Sequence, residues 1–391
     1  MARRLITALA SFILFWPLVG YPATLWLLAR LRPRNTHSSF AFLPSMTVIV
    51  PTYNESANIA ARIRNLTVAA YPRDRLDVIV VDSGSVDGTA DLAEQAARED
   101  PQLRVRVIRQ LCRAGKADAI NEAIRASTSE LVTITDAPTM FEPDALTCIA
   151  AEFADPHIGA ATGHFEVAGA KGAFQREEAR FWRVRNALRD MEAAVDSTPF
   201  LSGELCCFRR RLVPALHVDT LADDVDVALQ VRRCGYRVAV TSAARFSEPR
   251  SAAPGELTRT KSRRAAGGIQ ELIRGRDLVF SSRHGLFGML ILPSAWLYYL
   301  PLRVPAAAIV AIDLLLKIRR LPRAVQVAAA VAGIAALPWI VRRYGEQAGM
   351  LVFNEWIFLL GWWRVVSRRM DVRWTQERST REAAEQAEAP R

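Results

Sequence analysis

Val78-Ile79-Val80-Val81-Asp82-Ser83-Gly84-Ser85-Val86-Asp87-Gly88-Thr89 decides the fold class of this chain. Four consecutive β-branched residues read as a strand buried on both faces. The strand ends in a carboxylate, Gly84 and Gly88 permit tight turns, and Leu92, Ala93, Ala96 and Ala97 then recur at helical spacing. The unit repeats on either side. Thr47-Val48-Ile49-Val50 leads to Ile59, Ile63 and Leu66; Val105 to Ile108 leads to Ile120, Ala123 and Ile124. Leu131 to Thr135 leads to Leu146, Ile149, Ala150 and Phe153, a helix opened by Pro143-Asp144. Such alternation implies an α/β domain, a mostly parallel sheet with helices on both faces. Ligands of these sheets bind at the carboxyl ends of the strands. The polar residues cluster there, as Pro51-Thr52-Tyr53-Asn54-Glu55, as Asp82-Ser83-Gly84-Ser85, and as Asp136.

Each cluster carries a chemical reading and a plainer one. Asp82 can accept hydrogen bonds from a base or ribose, or form a turn; Asp87 can cap the next helix. Lys116, in Arg113-Ala114-Gly115-Lys116, can reach a phosphate or be a solvated lysine of the first helical turn. The pattern GxxxxGK[ST] is absent, which excludes a P-loop. Asp136 suits a hard divalent cation bridging phosphates, which would stabilise a leaving diphosphate. Asp223-Asp224 opens an amphipathic helix with Val225, Leu229 and Val231, so the pair can be simple caps. Sugar transfer, however, needs a base for the acceptor hydroxyl. A second carboxylate raises the pKa of the first, which makes Asp224 the better candidate. Thr260-Lys261-Ser262-Arg263-Arg264, followed by Gly267-Gly268, offers cations for a diphosphate, for lipid headgroups, or for both.

The ordered set VIVPTYNES, VDSGSVDGT, GKADAIN, TDAPT, SGELCCFRR, ADDVDVALQVRRCGYR and KSRRAAGG resembles glycosyltransferase family 2, in its membrane-bound branch with cellulose, hyaluronan and poly-N-acetylglucosamine synthases. The resemblance covers roughly residues 46–275. It implies a GT-A fold and inverting transfer from a nucleotide sugar, a UDP-sugar first among them. Pro51, Tyr53, Glu55 and Asp82 would then line the nucleoside site, with Lys116 also on the donor side. Asp136 would be the acid associated with Mg²⁺ or Mn²⁺. Asp224 would be the base, with Asp223 beside it. Gly203 and Glu204 would lie near the acceptor and Arg263 near the diphosphate. Three departures stand out. The family's DxD reads Asp136-Ala137-Pro138, QxxRW reads Thr260-Lys261-Ser262-Arg263-Arg264, and the Glu-Asp pair is Asp223-Asp224. They weaken a processive polymer synthase and leave addition of one or a few sugars.

The chain has 391 residues and a net charge of +11. Its arginines flank apolar runs, so anionic lipid and the positive-inside tendency explain the charge, and no nucleic-acid motif is present. Leu5 to Ala29 carries no charge and is long enough to cross a bilayer. Without a small-residue cleavage site it reads as an anchor rather than a signal peptide. The expected divisions are an anchor at 1–34, the transferase domain at 45–283, a membrane region at 284–370 and a mobile polar tail at 371–391. Leu286 to Leu302, Val304 to Leu316, Ala324 to Val341 and Gln347 to Trp363 are the later membrane segments. The expected setting is the inner (plasma) membrane, multi-pass, with a cytoplasmic catalytic domain and the N-terminus outside. Lys317 to Arg323 and Arg364 to Arg369 also favour the cytoplasm, which asks for a hairpin broken at Pro301 and Pro305 or a re-entrant segment. Phe174 to Met191 reads as an amphipathic helix, for the membrane surface or for the core. Glu355 sits within the last apolar run, as a functional or an interfacial acid. The five cysteines form no CxxC pair and read as reduced, mostly buried thiols.

Three functions compete on this evidence. The first is transfer to a lipid-linked or polysaccharide acceptor in cell-envelope or exopolysaccharide synthesis. The second is a polyprenyl-phosphate sugar synthase. The third is a non-catalytic membrane component of an export complex.

Overall fold

The computed structural model of the protein describes residues 1–34, 36–169, 173–248 and 254–370. The polar tail expected at 371–391 lies outside them. The four strand–helix units are present: β1 (Met46–Thr52) with α3 (Ser56–Thr67), β2 (Leu76–Asp82) with α4 (Thr89–Glu99), β3 (Arg104–Arg109) with α5 (Lys116–Ala126), and β4 (Leu131–Ile134), which is followed after the short β5 (Met140–Phe141) by α6 (Ala145–Ala151). Two helices precede them, α1 (Ala2–Phe15) and α2 (Tyr21–Leu31), joined by a π-helical turn. After them come β6 (Ile158–Val167), α7 (Ala173–Val195), β7 (Cys206–Arg209), α8 (Asp223–Arg233), β8 (Arg237–Glu248) and α9 (Pro254–Arg274).

One eight-stranded sheet results, in the order β3-β2-β1-β4-β7-β6-β8-β5. Its first half is parallel, as the alternation requires: β1 pairs β2 and β4, and β2 pairs β3, all parallel. The expectation of a mostly parallel sheet fails beyond β4. β7 runs antiparallel between β4 and β6, β5 runs antiparallel to β8, and only β6 with β8 is parallel there. β7 is only four residues long, so apolar periodicity carries no sign of its direction.

Core side chains fill both faces. Ile59, Ile63, Leu66, Ala93, Leu146 and Ile149 cover one, and Ile120, Ala123, Ile124, Val227 and Val231 the other. Half of α7 joins this packing. The Trp182 ring lies 4.6 Å from Phe165, tilted by 53°, and Asn186, Arg189 and Glu192 are buried, while Phe181 and Val184 stay exposed. The core-packing role expected of this amphipathic segment is therefore present on its buried face.

The remaining helices are α10 (Leu292–Tyr299), α11 (Arg303–Ile318) and the 44-residue α12 (Arg323–Val366). Among the described residues, Ala2–Leu31 is one helix long and apolar enough to cross a membrane. Phe287–Tyr299 and Arg303–Ile318 meet the same test together but bend by 83° at their junction, in keeping with the expected break near Pro301. The N-terminal helix packs on α11 near its start and meets α10 at its π-helical turn. Arg3 donates to Asp313 at 2.8 Å, Trp16 donates to Ser294 at 3.0 Å, and Tyr21 donates to Glu192 of α7 at 2.7 Å. Lys317 also pairs with Asp313. The end of α11 therefore lies level with Arg3, about 27 Å along the helix from Tyr21. This corrects the topology read from charge: if the N-terminus lies outside, Lys317 to Arg323 lies outside with it. Glu355 is settled by a partner, because its carboxylate accepts from the buried Arg303 side chain at 2.5 Å and from the Arg303 backbone at 3.1 Å.

Two buried constraints fix these helices to the sheet. Asp196, fully buried, pairs with Arg232 of α8 at 3.3 Å and with Arg34 at 3.8 Å, and accepts the Phe287 N–H at 3.2 Å. Gly267 lets α9 lie against the segment entering α8: a Cβ there would sit 2.9 Å from the Leu221 carbonyl carbon. Backbone cannot yield as a flexible side chain can. Gly267→Ala is therefore expected to destabilise the protein by about 1–3 kcal/mol, read as a lower unfolding midpoint in detergent; an unchanged midpoint would contradict this packing.

Candidate active site

The carboxyl ends of β1, β2 and β4 lie side by side, because Thr52 pairs Asp82 and Ile49 pairs Ile134. Pro51 fits at the end of β1 since it lies beyond the last β4 pair, where a missing N–H loses no ladder bond. The loops after β1 and β2 are knitted together. Asn54 adopts a left-handed conformation (φ 56°), takes a hydrogen bond from the Val86 N–H at 3.0 Å, and gives its own N–H to Ser85 at 2.8 Å. Asp87 accepts the N–H groups of Ser56 and Thr89, the first residues of α3 and α4, each at 3.2 Å. Burial alone would raise its pKa, but these hydrogen bonds lower it. Its role is the cap, doubled.

Asp82 is buried and accepts from the Ser85 N–H at 3.1 Å and from the Ser85 hydroxyl. Its carboxylate thus holds the turn while standing at the strand end. Glu55 is also buried and accepts from the Asn58 side chain at 2.8 Å. Tyr53 lies at the mouth, with the Arg113 guanidinium 3.8 Å over its ring. The ring, the cation and the acids offer stacking and hydrogen-bonding groups for a flat polar ligand.

Lys116 joins the halves of the sheet. Its ammonium lies 2.9 Å from Asp136 after β4 and 3.1 Å from Asp223 at the start of α8. Burial would lower the lysine pKa, but the two carboxylates outweigh it and hold the group charged. The solvated-lysine reading therefore falls. Gly203 closes the third side: a Cβ there would approach within 4.0 Å of both Lys116 and Asp223.

Asp224 follows Asp223 and is only partly open to solvent. Burial, then the charges of Asp223 and Glu204, push its pKa up to about 7, against the pull of Lys116. A carboxylate in that state is a far better base near neutrality than an ordinary aspartate. Glu204 is buried and lies 3.9 Å from Arg264 on α9. Arg263, half-buried, precedes Arg264 on the same helix.

A divalent cation has Asp136 as its candidate protein ligand on the donor side. Asp136 is the sole acid of the Asp136-Ala137-Pro138 stretch and keeps about a third of its side-chain surface exposed. One carboxylate plus donor phosphate oxygens is an ordinary set for Mg²⁺ or Mn²⁺, so Asp136 fits as the single protein ligand.

Sequence reasoning missed two arginines. Arg62 on α3 is fully buried, donating to the Thr139 carbonyl at 2.9 Å and the Thr135 hydroxyl at 3.1 Å, so it braces the loop that carries Asp136. Burial lowers its pKa to about 9. Arg189 on α7 is buried and donates to Ser202 at 2.9 Å, next to Gly203. Burial and Arg185 lower its pKa to about 10, against Glu204 and Asp224. Both read as ordinary helix-face arginines in sequence; only their neighbours reveal them.

The family model described as "Glycosyltransferase like family 2" matches residues 44–268. The chain is 24% identical over 279 residues to a beta-monoglucosyldiacylglycerol synthase of Trichormus variabilis, across 68% of this chain and 60% of that protein. It is 23% identical over 237 residues to a poly-beta-1,6-N-acetyl-D-glucosamine synthase of Staphylococcus aureus, across 59% of this chain and 56% of that protein. The chain thus spans about 60% of the length of these relatives. Among solved structures it resembles the mannosyltransferase PcManGT from Pyrobaculum calidifontis in complex with GDP-Man and Mn²⁺. That likeness has a TM-score of 0.72 and 27% identity, covering 93% of this chain and 99% of the other.

The raised pKa of Asp224 has a stability consequence of definite sign. Its folded pKa, about 7, lies above its ordinary value of 3.8, so the folded state holds the proton more tightly between those limits. Ionising Asp224 therefore destabilises the protein as pH rises through 7, and the penalty fades toward pH 4. Asp224→Asn is expected to raise the unfolding midpoint at pH 8 and to leave it nearly unchanged at pH 4.5. A midpoint lowered at pH 8 would mean that the charged form is the stabilised one.

Proposed function

The chain belongs to glycosyltransferase family 2, and on that premise we propose that it transfers a sugar, with inversion, from a nucleotide-sugar donor to a lipid-linked or polysaccharide acceptor at a membrane. One observation carries this reading: Asp224, with a pKa pushed up to about 7, follows Asp223, whose carboxylate meets Lys116 and, through it, Asp136. In a single displacement the acceptor oxygen attacks the anomeric carbon, Asp224 removes the acceptor proton, and the nucleoside diphosphate departs from the opposite face. Two carboxylates serving one step would favour retention only if one attacked the sugar; Asp223 is instead tied to Lys116.

The donor side follows from the groups at the strand ends. Tyr53 and Arg113 would hold the base of the nucleotide, and Asp82, Glu55 and Pro51 the nucleoside floor. Lys116 would meet the phosphates, and Arg263 and Arg264 would clamp the diphosphate from α9. A bound Mg²⁺ or Mn²⁺ would offset the charge of the leaving group, with Asp136 as its protein ligand. The similar mannosyltransferase holds GDP-Man, so a GDP-sugar stands level with the UDP-sugar expected from sequence. Glu204 and Gly203 would face the acceptor.

Residues 45–283 would form the transferase unit and 284–370, with 1–34, the membrane part. The catalytic unit would be cytoplasmic, with the N-terminal helix leading in, α11 leading out and α12 returning to pack on α9. The protein would then be multi-pass. Basic residues lie at both ends of these helices, where long side chains reach the interface. The non-catalytic export reading finds no support, since the lysine and carboxylates a transferase needs are assembled. The lipid acceptor is favoured over a polysaccharide by the contact of membrane helices with the base region; this also suits the loss of the QxxRW pattern.

Asp224→Asn is expected to lower the transfer rate constant by about 10²–10⁴-fold, while donor affinity measured by calorimetry with Mn²⁺ stays within about twofold. Full transfer by that variant would sink the assignment of the base.

A further inference from the structure

On α8, beyond the base, two more carboxylates meet a histidine. Asp226 lies two residues past Asp224, about 200° around the helix, and is fully buried. Its Oδ2 accepts the His217 N–H at 2.8 Å. Its Oδ1 lies 2.8 Å from His217 Nδ1 and accepts from the Gln230 side chain at 3.1 Å. Glu271 comes to the same point from α9 and is also fully buried. A nitrogen of His217 and one oxygen from each acid lie within 4.8 Å of one another.

Glu271 is only half satisfied. Its Oε1 accepts from the Thr220 hydroxyl at 2.7 Å and from Arg274. Its Oε2 is enclosed and has no hydrogen-bond partner among the described residues. Burial, and then the charge of Asp226, push the Glu271 pKa up to about 7, against Thr220 and Arg274. The cations nearby have other partners as well. Arg274 also binds both carboxylate oxygens of Asp219, at 2.8 and 2.9 Å. Arg233, which feels Asp226 and Glu271, is tied to Asp277 at 2.8 Å. The histidine beside the two acids keeps 43% of its side chain exposed, so the cluster is reached from solvent.

We propose that His217, Asp226 and Glu271 form a binding site for a divalent transition-metal ion, Zn²⁺ foremost, which shares no residue with the donor-side cation on Asp136. Imidazole nitrogen and carboxylate oxygen bind Zn²⁺ at about 2.0–2.2 Å, so neighbouring ligand atoms stand roughly 3 Å apart. The His217–Asp226 contact already has that spacing. The imidazole favours Zn²⁺ over Mg²⁺ or Ca²⁺. One doubly positive ion would answer both buried carboxylates and give the second oxygen of Glu271 a partner. Water would complete a four-coordinate shell from the open side of His217. The three ligands come from the loop before α8, from α8 and from α9. An ion there would pin the helix that carries Asp224 to the one that carries Arg263 and Arg264.

The test reads metal content and stability, not turnover, so it is independent of the transferase reading. The untagged full chain in detergent is stripped with a chelator and dialysed against micromolar Zn²⁺, and bound metal is counted by plasma mass spectrometry. The native chain is expected to retain one equivalent, and His217→Gln and Glu271→Gln at least tenfold less. His217→Cys should recover part of the binding, since a thiolate also ligates Zn²⁺. Asp136→Asn should keep the full equivalent. Zn²⁺ should raise the unfolding midpoint of the native chain and of Asp136→Asn, but not of His217→Gln. No Zn²⁺ on the native chain would overturn the proposal and leave a proton shared between Asp226 and Glu271. Undiminished retention by His217→Gln would overturn it too, as would a loss confined to Asp136→Asn, which would put the ion on the donor side.

Discussion

The ammonium of Lys116 lies between two carboxylates that come from opposite halves of the sheet, and the site depends on that contact. An unpaired charge so enclosed would be expelled or neutralised. With Asp136 at 2.9 Å and Asp223 at 3.1 Å it is held charged. The pairing draws the loop after β4 and the start of α8 to one point. It also leaves Asp224, the next residue, facing Asp223 and Glu204 with only partial compensation. The raised pKa of Asp224 is thus a product of burial and of an electrostatic arrangement: Asp223 is spoken for, and its neighbour bears the unrelieved repulsion.

Much of this was legible in the sequence, for reasons that can be named. The parallel half of the sheet was readable because each strand there is a run of β-branched residues followed by a helical repeat, as in Val78 to Ala97. Its carboxyl ends were readable because Asp82 and Asp136 interrupt apolar runs. The second half was not. Cys206 to Arg209 pairs antiparallel with two strands, and nothing in four residues announces direction. Arg62 and Arg189 were invisible for a different reason. A buried arginine is recognised by what surrounds it, here Thr135 and Thr139 for one and Ser202 for the other.

The membrane reading shows where a local rule meets a global constraint. Counting arginines placed Lys317 to Arg323 on the cytoplasmic side. The ion pair of Arg3 with Asp313 places that stretch level with the N-terminus instead. Charge bias is a tendency summed over loops, whereas helix packing fixes relative depth. The bend of 83° between α10 and α11 keeps α10 against the catalytic unit while α11 leads away. Gly268 allows this seat for α10, since a Cβ there would meet the Tyr299 ring and hydroxyl at 2.7–2.9 Å. The apolar helices and the start of α8 are therefore one packed assembly.

The central claim is that donor and base meet at the Lys116 junction. A structure of the protein with a nucleotide sugar and Mn²⁺ tests it most directly. The account predicts the nucleoside between Tyr53 and Asp82, the diphosphate between Lys116 and α9 with the cation on Asp136, and the anomeric carbon facing Asp224. A donor bound elsewhere, or one whose sugar turns away from Asp224 with the cation far from Asp136, would contradict it.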